Sequence, residues 1–299
     1  MNFLTKAILA MTIVLFASAV CAQEQRSDAE EELRIAAMEA LITAPAERAL
    51  PLVKKVLAGN HSNELKERAL FILSQIDDPD AQATLLEFAT GATGDLRLEA
   101  IRMIGIGGDS DNIRQLKSIY LNGDREARDA VLEAYMIVGD KEAIFEIAKA
   151  ADGEDFEEAL QLLSAMGARD ELRQLATQHG PSEALVHAYA VSGDFDALRE
   201  LAMDNSDPDI QAQAVEAMGI IGDDRANEVL LQLYGSTDNP DVREAALDGM
   251  MIAGNDAGIL ELYRSETNPA VRKELLEYLV IMKNDEVWEI IDAALSEDQ

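Results

Sequence analysis

Asp207 to Leu233 read DPDIQAQAVEAMGIIGDDRANEVLLQL, and Asn239 to Leu262 read NPDVREAALDGMMIAGNDAGILEL. Both open on an Asp/Asn-Pro-Asp turn, run through an apolar segment, pause at Gly-Asp or Gly-Asn, and run through a second apolar segment. Self-similarity at a period near thirty residues marks a stacked repeat, in which no unit buries its apolar face without its neighbours. The pattern therefore predicts paired helices and an extended surface, and it lowers the expectation of an enzyme.

The same unit can be followed along the chain. Taking the residue that ends the first helix of each unit as an anchor gives nine: Pro45, Asp77, Gly108, Gly139, Gly167, Gly193, Gly222, Gly254 and Lys283. Successive spacings are 32, 31, 31, 28, 26, 29, 32 and 29 residues. Glycine reverses a helix in the left-handed region without steric cost, so these glycines are expected to be helix ends and not phosphate loops. Positions 12, 8, 5, 4 and 1 before the anchor should share one helical face. They read Ile210, Ala214, Ala217, Met218 and Ile221 in the seventh unit, and Leu65, Ala69, Ile72, Leu73 and Ile76 in the second.

Second helices follow Asp/Gly punctuation, as in Asp140 before KEAIFEIAKA. Asp-Pro and Asn-Pro open first helices at Pro208, Pro240 and Pro269, whereas Pro79 opens a second helix. Ser27-Asp28-Ala29-Glu30 has the form of a capping box with Ser27 as N-cap. No alternating Val/Ile/Thr run predicts a strand.

Composition bounds the chemistry. The chain has 299 residues, 48% hydrophobic but only 5% aromatic, which suits closely stacked helices built on small and aliphatic side chains. Lys6, the apolar run Ala7 to Val20 and the small residues around Cys21-Ala22 predict a signal peptide over residues 1–22, followed by one repeat domain over 23–299. The run is short of the roughly 18–20 residues of a membrane span. A lipoprotein modified at Cys21 is disfavoured by Val20, which occupies a site that favours a small residue. A periplasmic or secreted protein without thiol chemistry is expected, because Cys21 is the only cysteine.

Removing Lys6 from 25 basic residues leaves 24 against 57 acidic ones, a net charge of −33. Nucleic acid and anionic membranes would be repelled, and a basic protein partner favoured. The same acidity also suits a solvated coat.

No catalytic constellation stands out. His61, His179 and His187 have no metal-ligand spacing, and there is no G-x-S-x-G. Gly105-Ile106-Gly107-Gly108 follows a helix where a dinucleotide loop needs a strand. Carboxylates are too many to select a pair. Acidic turns such as Asp204–Asp209 could hold Ca²⁺ weakly, but their residues also suit helix caps.

Asp207-Pro208-Asp209-Ile210, Ala214, Ala217-Met218-Gly219, Ile221-Gly222-Asp223 and Ala226 resemble HEAT repeats, specifically the short HEAT-like class also seen in phycobilisome lyases. Asn239-Pro240-Asp241-Val242-Arg243 repeats the opening. The resemblance implies an all-α, right-handed α-solenoid of about nine HEAT-like helix pairs. It also implies that the basic residue 11 before the anchor (Arg34, Lys66, Arg97, Arg128, Arg243, Arg272) pairs with an Asp of an adjacent turn. Phe156, Ser182 and Gln211 replace it in units five to seven, the shorter ones.

In such solenoids the second helices usually line the concave face. Tyr120, Tyr234 and Tyr263 fall late in second helices, where they either anchor a partner or pack between helices. Trp288 is expected to help cover the end of the stack.

The function expected is protein binding or scaffolding outside the cytoplasm, by a monomer with no catalysis, cofactor or metal. Alternatives are a lyase-like or chaperone-like accessory factor and a weakly Ca²⁺-binding structural protein.

Overall fold

A computed structural model describes residues 29–204, 206–222 and 225–296. The segment 1–22, the cap at Ser27 and Asp28, Asn205 of the acidic turn and Asp223 of the repeat motif lie outside the described residues. Those described are entirely helical and turn, with no strand among them.

Helix α1 runs through residues 29–39 and ends in a 3-10 turn, Ala40–Thr43. It is followed by α2 (Ala46–Ala58), α3 (Asn63–Gln75), α4 (Pro79–Gly91), α5 (Asp95–Gly107), α6 (Ser110–Asn122) and α7 (Arg125–Val138). Next come α8 (Lys141–Ala148), α9 (Gly153–Ala165), α10 (Arg169–His179), α11 (Glu183–Ser192) and α12 (Phe195–Ala202). The last six are α13 (Pro208–Ile221), α14 (Ala226–Ser236), α15 (Pro240–Ile252), α16 (Asp256–Ser265), α17 (Pro269–Ile281) and α18 (Val287–Ser296). The eighteen helices are packed pairwise as HEAT repeats. Odd-numbered helices are the first of each pair and even-numbered ones the second. The chain divides into two compact units, one ending at Asp140 and the other beginning at Lys141.

Within each unit the first helices pack against one another in order, α3 on α5 and α5 on α7 in one, α9 on α11, α11 on α13 and α13 on α15 in the other. Each second helix packs on the first helix that follows, as α4 on α5, α12 on α13 and α14 on α15. A first helix is thus enclosed on several sides. Positions 8 and 4 before the anchor are buried in eight units, from Ala69 and Leu73 through Ala214 and Met218 to Leu275 and Leu279. Position 7 before the anchor, outside the expected face, is equally buried at Leu70, Ile101, Leu132, Leu160, Val186, Val215 and Leu247. The face is wider than one stripe because two neighbouring first helices, not one, cover it.

Helix ends follow the sequence closely. Gly108, Gly139, Gly193 and Gly222 are left-handed C-caps, and Gly167 and Gly254 are left-handed one residue beyond. Asp140 N–H donates to Tyr135 O at 2.9 Å and Gly139 N–H to Met136 O at 3.2 Å, the paired bonds of a Schellman motif. The same pair recurs at Gly167/Ala168, Gly193/Asp194, Gly254/Asn255 and Lys283/Asn284. The first two units differ. Asp77 is not a left-handed end, since α3 closes on Ile76 in an extended conformation. Pro45 is the N-cap of α2 and not the end of α1.

Pro208, Pro240 and Pro269 stand at the start of first helices, and Pro79 starts the second helix α4. Asp207, Asn239 and Asn268 cap their helices by accepting from the N–H two residues on.

Lys283 is the one described non-glycine residue at positive φ, 57°. Lys283→Gly should stabilise the protein by about 0.5–1 kcal/mol, because it removes the left-handed penalty that a Cβ carries. Urea denaturation checks this. A loss of stability would mean that the lysine side chain makes a contact worth more than its strain.

Candidate interaction surface

The three tyrosines read either as partner anchors or as packing groups are largely buried. Tyr120, Tyr234 and Tyr263 are only 9%, 8% and 8% exposed. Each sits in the last turn or two of a second helix, where the first helix of the next pair covers the ring. Arg243 lies over the Tyr234 ring at 5.8 Å and Arg272 over the Tyr263 ring at 4.6 Å. Arg272 Nη2 also donates to the Tyr263 hydroxyl at 3.1 Å. Of the two sequence readings, packing between helices is the one their positions fit. The ring is large enough to fill the gap between successive pairs, and the arginine closes its outer edge.

This also qualifies the expected charge ladder. Arg97 reaches an Asp of the next pair, Asp124, at 3.3 Å. Arg243 Nη2 instead donates to Thr237 O at 2.7 Å, at the carboxyl end of α14. A cation there satisfies a carbonyl left over at the helix end and faces the negative end of its dipole. In the seventh unit Gln211, 3% exposed, does the same without charge, its Nε2 donating to Ala202 O at 2.8 Å at the end of α12. Phe156 stacks on His179 at 4.5 Å, and Ser182 caps α11 by accepting from Leu185 N–H. At Arg243 and Gln211, position 11 is a clamp on the preceding second helix that a charged or a neutral donor can serve.

The Tyr234 hydroxyl is buried with no hydrogen-bond partner among the described residues, in contrast to that of Tyr263. Tyr234→Phe should therefore be neutral or mildly stabilising, while Tyr263→Phe should cost roughly 0.5–1.5 kcal/mol. Thermal melts of the two variants side by side decide it; equal losses would mean that Tyr234 has a partner such as an ordered water.

Histidines and carboxylates are dispersed. No group of three or more His, Cys, Asp or Glu among the described residues is placed to hold a metal. Asp109 and Asp207 of the acidic turns accept from backbone N–H groups at the starts of α6 and α13, so those oxygens act as caps. His187 lines a shallow, open depression of about 390 Å³ between α9 and α11 with Glu157, Gln161, Ser164 and Glu183. No described helix is long and apolar enough to cross a membrane.

What the first helices leave outside is regular. Position 2 before the anchor is an exposed β-branched residue in six pairs. These are Ile106 and Ile137 in the first compact unit, and Val191, Ile220, Ile252 and Ile281 in the second. Val191, Ile220 and Ile252 are 53%, 63% and 49% exposed. One turn earlier on the same helices stand charged or polar groups: Arg102, Glu133, His187, Glu216, Asp248 and Glu277. Asp248 accepts from the Tyr278 hydroxyl at 2.6 Å, which ties α15 to α17. Burial together with that acceptor pushes the Tyr278 phenol up, so it stays a donor at neutral pH. Trp288, expected to help cover the end of the stack, is 72% exposed on α18, where Val287 alone of that helix's first turn is buried.

Against this geometry, residues 170–251 match the family model described as HEAT repeats. No curated protein sequence matches the chain. Among the similar solved structures are two that cover most of the chain. One is the complex of CpcE and CpcF of phycocyanin lyase from Nostoc sp. PCC7120, at TM-score 0.35 and 20% identity, covering 78% of this chain and 94% of that one. The other is human deoxyhypusine hydroxylase in complex with glycerol, at TM-score 0.35 and 19% identity, covering 82% of this chain and 99% of that one. Neither activity is carried over.

Proposed function

We propose that this protein is an exported binding or scaffolding module that holds another protein along its stacked helices and performs no chemistry of its own. The observation that carries this reading is the division of labour within each pair. Core, caps and clamps account for the buried positions, yet two pairs of the first compact unit and four of the second expose an aliphatic side chain in the same register. A repeated exposed position is what a long binding surface needs and what a solvated coat does not. The net charge of −32 favours a partner with basic character. The apolar segment with small residues near Cys21-Ala22 supports export.

Affinity capture from the native envelope fraction tests the reading. A basic protein retained at low salt and released at high salt is the expected result, and capture of nothing at any salt would sink it. Export is checked separately by the N-terminus of the isolated protein, which should be Gln23. An intact Met1, or a lipid on Cys21, would remove the cleaved-peptide reading.

A further inference from the structure

We propose that Val191, Ile220 and Ile252, with Ile281 closing the run, form a docking track in the second compact unit for a cationic amphipathic helix of another protein. The proposal rests on the protein-binding reading and names its face and the chemistry of its partner.

Three observations carry it. First, the residues are aliphatic, exposed and in identical register on four successive first helices, α11, α13, α15 and α17. An exposed Ile or Val gains nothing for a soluble helix, where its β-branching lowers helix propensity.

Second, the supporting helices are close. A Cβ placed on Gly219 would fall 2.5 Å from Gly249 Cα, so α13 and α15 run nearly in backbone contact beside Ile220 and Ile252. Packed helices lie roughly 8–10 Å apart, with α13 and α15 at the near end, and this sets the spacing of the row. Seven residues of an α-helix advance about 10.5 Å, so a partner helix crossing these four obliquely would place one apolar residue on each at every second turn.

Third, the flank is acidic. Glu216, Asp248 and Glu277 stand one turn before Ile220, Ile252 and Ile281, and Glu244 one turn further on α15. Lys273 reaches Glu277 at 3.4 Å in an exposed pair that water and salt screen. Lysines and arginines beside the partner's apolar stripe would meet this row, whereas an acidic helix would be repelled.

The aliphatic row and its acidic flank together point to recognition of an amphipathic helix by spaced anchors. The row lies on first helices, whereas the family resemblance would place a partner on the second.

The test uses the purified protein and three labelled peptides of about 22 residues. One carries Leu or Ile at every seventh position with Lys and Arg beside them. The second has Glu in place of the basic residues, and the third is a scramble of the first. Fluorescence anisotropy should show binding of the cationic helix alone, weakened about tenfold or more between about 50 and 500 mM salt. Ile220→Ser/Ile252→Ser should weaken it about tenfold or more, and Glu216→Gln/Glu277→Gln several-fold. Ile106→Ser/Ile137→Ser, in the other compact unit, should leave it unchanged.

Circular dichroism melts confirm that each variant is folded; because the substituted side chains are exposed, the melting points should match. Equal binding of cationic and acidic peptides, equal binding by the Ile220/Ile252 variant, or no binding overturns the proposal. So does a concentration-dependent dimer that Ile220→Ser abolishes, which would give the row to a second copy of the chain. Native partner capture that survives in the Ile220/Ile252 variant overturns the track but leaves the protein-binding reading in place. Capture by neither protein removes that reading as well.

Discussion

Arg173→Ala is expected to destabilise the second compact unit by about 2–3 kcal/mol. Asp194 is 3% exposed, and Arg173 grips it with two bonds, Nε at 2.8 Å and Nη2 at 2.6 Å. The same carboxylate caps α12 by accepting from Ala197 N–H at 3.3 Å. Removing the guanidinium leaves a buried charge whose remaining support is the cap and the more distant charge of Arg169. The Arg173 side chain is 41% exposed, which places the loss at or below the lower end of the range for fully buried pairs. Urea denaturation measures it, and a loss below about 1 kcal/mol would show that water replaces the arginine.

Because the two residues act as one unit, Arg173→Ala/Asp194→Ala should cost less than the sum of the single changes. The pair also has a pH signature. Burial pushes the Asp194 carboxyl up, but the Arg173 bonds, the Ala197 amide and the Arg169 charge outweigh it and hold the group below the usual carboxylate range. A carboxyl lowered in the folded state contributes stability that is present above its unfolded value, about 3.9, and lost as pH falls through the folded value. The wild type should therefore lose this contribution only below about pH 4. Arg173→Ala should flatten the slope there.

Gly219→Ala is the second large effect, expected to cost roughly 2–3 kcal/mol although alanine is the better helix former by about 1 kcal/mol. The added methyl would meet Gly249 Cα at 2.5 Å, O at 2.7 Å and C at 2.9 Å, all backbone atoms that move only if α13 and α15 part. Parting them would unseat Val215, Met218, Leu247 and Met250, all buried along the two helices. Gly235 is the control. It lies in α14, and a Cβ added there would have nothing within 4 Å, so Gly235→Ala should stabilise by up to about 1 kcal/mol. Thermal denaturation of the pair gives opposite signs if close approach is the reason for Gly219. Two stabilised variants would refute it.

Much of this architecture is local chemistry, and so it was legible. Gly139, Gly193 and Gly222 end helices because a left-handed residue must follow the last turn, and Pro208, Pro240 and Pro269 start them because the first turn needs no proline N–H. Such rules act within a few residues and leave a mark in one stretch of chain. The alternation of Ala, Leu and Met at positions 8 and 4 before each anchor likewise marked the core.

The surface was read less well, because exposure is decided by which helix comes to lie next to a residue. Tyr120, Tyr234 and Tyr263 looked available as side chains late in second helices, and the next pair covers them. Position 7 looked peripheral, and a second neighbour buries it. Ile220 and Ile252 passed unmarked beside Ile221 and Ala253, since a single residue separates a half-buried position from an exposed one. The recurrence of a β-branched residue two before the anchor was the available signal.

By itself the sequence determined the helical pairs, their number, most of their caps and the sign of the surface charge, all properties of neighbouring residues or of composition. Only the tertiary structure decided which groups the pairs enclose. It turned Arg243 and Gln211 into clamps on the preceding helix, buried Asp194 against Arg173, and brought Gly219 to Gly249. Those outcomes depend on residues six to thirty positions apart, whose meeting is fixed by how one helix stacks on the next.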